Sequence, residues 1–288
     1  MVNPTLCPES IEDIRARRNR TVVAVVYCTF GDESRDESKQ RVYAVAGAFG
    51  SQEEWDALEL VWSARLEGRA FHASDCECGH GEFSKTSHAD NQRLYRDLVG
   101  IIAKSRIVGQ DYRSVFPSDH EHTPYLWGFG DVVQAASELA YLSVPQDEVR
   151  IVFDRNEELE FSAAEMYRYC LGMKTIVARG NLFGEISFAC RRTVGIQVAD
   201  LFARETMKHL DNQVGPTTRC ERRSFAALRK NHKFRFVCYT RELLEKGIKA
   251  SPPGSRPGVT LADYRKWLSE KRLDDSLTNR IRHIVEFP

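Results

Sequence analysis

Apolar, β-branched runs near the start of the chain predict two neighbouring strands. They span residues 21–27 and 41–49, and each is bounded by polar residues. A short polar turn separates them, and it contains the tripeptide Asp32-Glu33-Ser34 followed by its repeat Asp36-Glu37-Ser38. Because so short a link only suits strands that run in opposite directions, the two strands are predicted to pair antiparallel.

The pattern then changes to a helical period. Ser51 is typical of a helix N-cap, with Glu54 three residues later, and an apolar stripe follows at Trp55, Leu58, Trp62 and Leu66. Further helices are predicted at about residues 88–104, 125–142 and 159–173, and strands at about 106–116, 149–154 and 185–191. Strands interleaved with helices predict an α/β fold with a mixed central sheet flanked by helices.

A proline- and glycine-rich stretch divides the chain near its C-terminal end. Residues 251–258 have the composition of a linker, and residues 260–284 are predicted to form a helical appendage. The predicted organisation is therefore one domain over residues 1–250, followed by a linker and appendage over 251–288.

Composition narrows the class of protein. The chain has 288 residues with 42% hydrophobic content, which is enough for a full core. No apolar run approaches the roughly 20 residues that span a bilayer, and residues 1–20 lack a signal-peptide core, so we expect a cytoplasmic protein without membrane contact. The eight cysteines of such a chain are expected to be reduced thiols, with Cys28, Cys170, Cys190 and Cys238 as small core residues.

The formal net charge of zero conceals an asymmetry. Residues 213–288 contain 17 lysines and arginines against 8 acids, so they carry +9 and the remainder carries −9. A basic C-terminal part beside an acidic body is compatible with a bound anionic polymer, although solvated basic tails are also common.

Three aspartates stand where an isolated charge is costly. Asp32 is predicted to lie just past the first strand, Asp154 closes the strand 149–154, and Asp200 is on an apolar face of the helical run 195–203. Because a buried carboxylate must be paired, hydrogen-bonded or metal-bound, this placement suggests a divalent-metal site.

Each acid also has a structural interpretation. Asp32 could be a turn former, Asp154 could cap the next helix, and Asp200 could pair with Arg204 at i+4. Gln197 lies one turn before Asp200 and could orient a carboxylate or a metal-bound water, although many such glutamines are only solvated.

These residues, in this order, resemble the DUF3800 family over roughly residues 21–240. The resemblance is carried by Asp32-Glu33-Ser34, the strand at 43–49, Trp55, Trp62, Phe71-His72-Ala73-Ser74-Asp75, Phe153-Asp154 and Gln197-Val198-Ala199-Asp200-Leu201. It implies a ribonuclease H-like fold in which Asp32, Asp154 and Asp200 bind one or two Mg²⁺ or Mn²⁺ ions. Arg35 replaces the glycine that often follows Asp-Glu-Ser, and the repeated tripeptide leaves Asp36 as an alternative to Asp32.

The same resemblance suggests supporting residues. Asp75 would be a further carboxylate of the catalytic group, and His72 a proton donor, ligand or phosphate contact. Glu33 would act behind the ligands, as would Glu82 at the rim of the site. Arg191, Arg192, Arg222 and Arg223 are candidate nucleic-acid contacts, although the phenylalanines among the later basic residues are typical of a core.

A zinc site is the competing interpretation of the segment from Cys76 to His80. Cys76, Cys78 and His80 alternate there, but zinc sites usually separate paired cysteines by two residues or more. The sequence thus favours a metal-dependent nuclease acting on DNA or RNA. The alternative is a non-catalytic nucleic-acid- or protein-binding module of the same fold.

Overall fold

Six strands form one mixed sheet in the part of the chain that the structure describes. The structure is a computed structural model that describes residues 27–36, 42–115, 123–143, 149–156, 159–172, 182, 185–214, 217, 219–230 and 234–239. The strands are β1 (Tyr27–Arg35), β2 (Val42–Ser51), β3 (Val108–Val115), β4 (Val149–Asp154), β5 (Ser187–Ala189) and β6 (Phe234–Tyr239). The predicted linker, the appendage and residues 37–38 of the repeated tripeptide lie outside the described residues, so the domain division stays a prediction.

The strand directions fix the fold class. The order across the sheet is β5-β4-β1-β2-β3-β6, and β2 runs antiparallel to both of its neighbours. Strand β4 runs parallel to β1, β5 parallel to β4, and β6 parallel to β3. Strands β1 to β5 therefore have the order and directions of a ribonuclease H-like sheet, and the predicted α/β class with a mixed sheet is confirmed.

Helices cover both faces of this sheet. They are α1 (Gln52–Leu66), α2 (Ala73–Cys78), α3 (His88–Lys104), α4 (Thr123–Ser143), α5 (Glu160–Gly172), α6 (Val194–Val214) and α7 (Arg223–Lys230). The helices predicted at 88–104, 125–142 and 159–173 are confirmed within two residues, whereas α2 and α7 were not predicted. Within the described ranges, no helix combines the length and apolarity needed to cross a bilayer.

Helix α1 begins as its sequence predicts. The backbone N–H of Glu54 donates to Ser51 Oγ at 3.3 Å, and the N–H of Ser51 donates to the Glu54 carboxylate at 2.9 Å. This reciprocal pair satisfies donors that a helix start leaves unpaired. The predicted stripe is buried as well, at Trp55, Leu58, Trp62 and Leu66.

Strand β1 extends further than the sequence suggested. It continues through Asp32 and Ser34 to Arg35, so the predicted turn at Asp32-Glu33-Ser34 is wrong. These residues pair with Ala46, Val45 and Ala44 of β2. Because Asp32, Glu33 and Ser34 each pair with β2, ladder hydrogen bonds override the turn preference of aspartate and serine.

Successive side chains of β1 point to opposite faces of the sheet, and this places Asp32 and Glu33 on different faces. Asp32 pairs with Ala46, which packs in one core cluster with Val198 and Phe202 of α6. Neighbouring residues of a strand point to opposite faces, so Glu33 lies on the face covered by α4. Strand β1 therefore presents Asp32 towards α6.

Gly195 allows α6 to approach β1 closely. A Cβ atom at this position would overlap the ring of Phe30, two residues before Asp32 on the same face. The absence of a side chain brings the start of α6 onto the strand that carries Asp32.

Candidate active site

Three aspartates from separate parts of the chain lie on the α6 side of the sheet. Asp32 is in the middle section of the central strand β1, Asp154 is the last residue of the adjacent strand β4, and Asp200 is in the second turn of α6. Asp32 and Asp200 are buried, while Asp154 is half-buried. The topology thus brings together side chains that are up to 168 positions apart, from 32 to 200.

Burial and the charges of neighbouring acids raise the pKa values of Asp32 and Asp200. Burial raises the pKa of Asp32 well above its ordinary value, and the negative charges of Asp200, Glu33 and Asp154 raise it further. Burial also raises the pKa values of Asp200 and Asp154. Like charges that interact in a poorly solvated site favour a bound cation.

Helix α2 fixes the Asp200 carboxylate. The backbone N–H of Ala73, the first residue of α2, donates to Asp200 Oδ2 at 2.6 Å. His72 precedes it, and its positive charge when protonated would lower the pKa values of both Asp154 and Asp200. His72 Nδ1 is 3.1 Å from Asp75 Oδ2, so Asp75 reaches the site through His72.

The structural alternatives for the acids are wrong. Arg204 makes its ion pair with Glu77, to which its Nε donates at 2.7 Å, and it acts on Asp200 only through its charge, which lowers the pKa of that acid. Asp154 does not cap a helix, since α5 begins only at Glu160. Asp36 accepts the N–H of Val42 at 2.9 Å and closes the hairpin, which leaves Asp32 as the acid beside Asp154 and Asp200.

Glu33 lies next to the site on the other face of β1. Burial raises its pKa, and Asn156 Nδ2 donates to its carboxylate at 2.9 Å. Asn156 was missed in the sequence, although its position two residues after Asp154 at a strand end is a signal for a polar group at this edge.

Gln197 and Glu82 are predicted to support the acids, but the hydrogen bonds they make are to other residues near the site. Gln197 Oε1 accepts from Trp62 Nε1 at 2.8 Å, and Gln197 Nε2 donates to the carbonyls of Arg191 and Arg192 at 3.0 and 3.3 Å. Glu82 accepts the N–H of Ala70 at 2.8 Å. Gln197 thus holds the segment that carries the two arginines, whereas Glu82 holds the loop after α1.

The four predicted nucleic-acid contacts differ in their surroundings. Arg191 and Arg192 are exposed, and the charge of Arg191 lowers the pKa of Asp154. Arg223 is exposed at the start of α7. Arg222 does not fit the prediction, because its guanidinium pairs with Glu77 and, at 3.0 Å, with the fully buried Glu205.

Among the described residues, the cysteines do not form a metal site. Cys76 is buried in α2 while Cys78 is exposed, and the thiol of Cys76 donates to the carbonyl of Asn91 at 3.5 Å. Cys28 and Cys170 are core residues as predicted, but Cys190 is exposed, which corrects its assignment. The side chain of Cys238 lies outside the described residues.

The acids suit a hard cation by their chemistry. Over the described ranges, no group of three histidine, cysteine, aspartate or glutamate side chains stands close enough to enclose an ion. Mg²⁺ is commonly held by one or two carboxylates, with water and substrate phosphate completing its octahedron. Asp32, Asp154 and Asp200 offer carboxylate oxygens of that kind, of which one or two would hold the ion, and the zinc interpretation of Cys76, Cys78 and His80 does not hold for the described residues.

Comparison with known proteins adds no family. No protein-family profile and no curated protein matches this chain. Among solved structures, a chain from the PCNA:RNase HII complex of Archaeoglobus fulgidus is 12% identical, with a TM-score of 0.35 over 76% of this chain and 89% of that one. Bst-RNase HIII in complex with Mn²⁺ is 10% identical, with a TM-score of 0.34 over 74% and 62%. Similarity at this level does not bear on the chemistry of this chain.

Proposed function

We propose that this protein is a divalent-metal-dependent nuclease, in which Asp32, Asp154 and Asp200 hold Mg²⁺ or Mn²⁺ and the substrate is DNA or RNA. The observation that carries the proposal is the convergence of three acids with raised pKa values on one face of the sheet. The charges that act most strongly on Asp32 are all carboxylates. A fold that buries such a group without a cation loses stability, and a bound metal ion offsets that cost.

The residues around the acids suit phosphodiester hydrolysis. When bound, divalent ions supply an activated water and neutralise charge on the phosphoryl group. Exposed Arg191, whose charge acts on Asp154, would contact a substrate phosphate. His72, held by Asp75, would protonate or orient the leaving oxygen. The resemblance to the DUF3800 family implies the same activity, and membership of that family is part of what we propose.

One observation favours a second function, a non-catalytic binding module. The described acids do not enclose an ion, as a preformed three-ligand site would. A binding module needs the fold and the basic residues but no metal. The two functions therefore differ in their dependence on divalent ions.

Metal removal separates them. We expect the purified protein to cleave at least one of single-stranded DNA, duplex DNA, RNA or an RNA–DNA hybrid in Mn²⁺ or Mg²⁺, and to lose that activity in EDTA. Cleavage is followed on denaturing gels with end-labelled substrates, and Mn²⁺ added in excess over the chelator should restore it. Binding that is unchanged by EDTA, without cleavage of any substrate in either metal, would support the binding module and reject the nuclease.

A further inference from the structure

A basic cavity lies beside the start of α6. Its volume is about 170 Å³, and its lining includes Ser63, Leu66, Arg69, Ala70, Arg192 and Gln197. The cavity thus joins the end of α1 and the loop after it to the segment that precedes α6.

Two arginines, Arg69 and Arg192, line this cavity. Arg69 is ordered by a bond from its Nε to the Leu66 carbonyl at 3.0 Å and by its position 5.6 Å above the Phe83 ring. In the part of the chain that the structure describes, Arg69 has no carboxylate partner, and the ion pair of Arg192 is with Glu82 at 3.8 Å. Two arginines beside the carboxylate of Glu82, which Ala70 holds and which lies 3.8 Å from Arg192, leave an excess of positive charge that favours an anion.

The wall of the cavity is rigid. Gln197 is 3% exposed, and both ends of its amide are bonded, to Trp62 and to the backbone carbonyls of Arg191 and Arg192. These bonds hold the backbone that carries Arg192 in place. Binding here would therefore require little ordering of the main chain.

The cavity adjoins the acids. Gln197 precedes Asp200 by nearly one turn of α6, and Arg191, next to Arg192 in the chain, acts electrostatically on Asp154. The lining residue Gln197 and the acid Asp200 are thus less than one helical turn apart on α6, which places the cavity beside the acids.

We propose that the cavity formed around Arg69 and Arg192 binds a backbone phosphate of the nucleic acid, at a different nucleotide from the one that is cut. This inference rests on the proposed function for its substrate class. It adds Arg69, which no sequence motif marked, as a substrate-positioning residue. A guanidinium pair recognises phosphate oxygens through charge-assisted hydrogen bonds.

The test is binding of a fluorescent oligonucleotide in EDTA, which prevents cleavage. We expect Arg69→Gln and Arg192→Gln each to weaken binding about tenfold. The double variant should reduce the slope of log K against log salt by about 1, since losing the contact with one phosphate removes about one released counterion. Arg93→Gln is the matched control, because Arg93 is exposed on α3 and its ion pair among the described residues is a 3.8 Å contact with Asp90.

A further variant tests the proposal even if the arginine variants fail to fold. Ser63→Glu adds a negative charge at an exposed position of the cavity lining without removing an arginine, and it should also weaken binding. Inorganic phosphate should compete with the oligonucleotide on the wild type and less so on the double variant.

Two results would overturn the proposal. One is a double variant that binds the oligonucleotide like Arg93→Gln, and the other is phosphate binding that depends on the arginines while oligonucleotide binding does not. If the wild type cleaves in Mn²⁺ and the arginine substitutions leave oligonucleotide binding unchanged, the phosphate-binding role of the cavity is rejected and the nuclease proposal stands. A protein that binds through the arginines but never cleaves rejects only the nuclease.

Discussion

Asp200→Asn is expected to abolish metal-dependent cleavage and to leave the metal-free protein as stable as wild type or more stable. The asparagine keeps a side-chain oxygen that can accept the Ala73 N–H. It removes a negative charge that raises the pKa of Asp32. Groups behind metal ligands commonly cost 10- to 100-fold when lost, so a ligand should cost more than about 100-fold in activity.

The sign of the stability effect follows from proton binding. The raised pKa values of Asp32 and Asp200 mean that the folded protein binds more protons than the unfolded chain. Stability from these acids is therefore present at low pH and is lost as pH rises through their folded pKa values. At neutral pH the variant should relieve part of this loss, as substitutions at functional sites often do.

Melting curves in EDTA and during a Mn²⁺ titration measure this prediction alongside cleavage. Glu59→Gln, at an exposed acid of α1, is the control and should behave as wild type in both. A destabilised Asp200→Asn protein that keeps the wild-type metal-induced shift in melting temperature would make Asp200 a structural acid.

Arg222→Met is expected to destabilise the fold by about 3–5 kcal/mol, because it leaves the buried Glu205 carboxylate without its cation. Arg222 pairs with Glu205, which is fully buried and also accepts from Tyr95 at 2.7 Å and Ser224 at 2.6 Å. It pairs with Glu77 of α2 as well, so its loss also loosens the helix whose first N–H holds Asp200.

The neighbouring arginine is the control for this effect. Arg223 is exposed, and Arg223→Met should change the free energy of unfolding by less than about 0.5 kcal/mol. Urea unfolding of both variants provides the comparison. Equal stabilities, with oligonucleotide binding lost only in Arg222→Met, would restore the phosphate contact that the sequence predicted for Arg222.

Local pattern was sufficient for most of the architecture. The capping box at Ser51 and the stripe of α1 depend on residues within one or two turns, so the sequence contains the whole signal. The end of β1 was misplaced because pairing with β2 carries the strand through polar residues, beyond Gly31, the last residue that pairs with β4. Strand pairing is a tertiary contact between separate segments, and a local sequence pattern does not contain it.

The site shows the same division. The three acids were predicted because strand ends and an apolar helix face mark costly charges locally. The partner of Arg204 was not, since the i+4 rule favours Asp200 whereas the fold brings Glu77 from 127 positions away. Arg69 was not predicted either, because the cavity that it lines is completed by Arg192 and Gln197, which are distant in the sequence.

The most direct measurement of the central claim is a crystal structure of the protein soaked in Mn²⁺, with data collected at the manganese absorption edge. The proposed function predicts an anomalous peak in contact with carboxylate oxygens of at least two of Asp32, Asp154 and Asp200, and its absence from an Asp200→Asn crystal. Saturating Mn²⁺ that leaves these acids without a peak, or that binds only elsewhere on the surface, would contradict it.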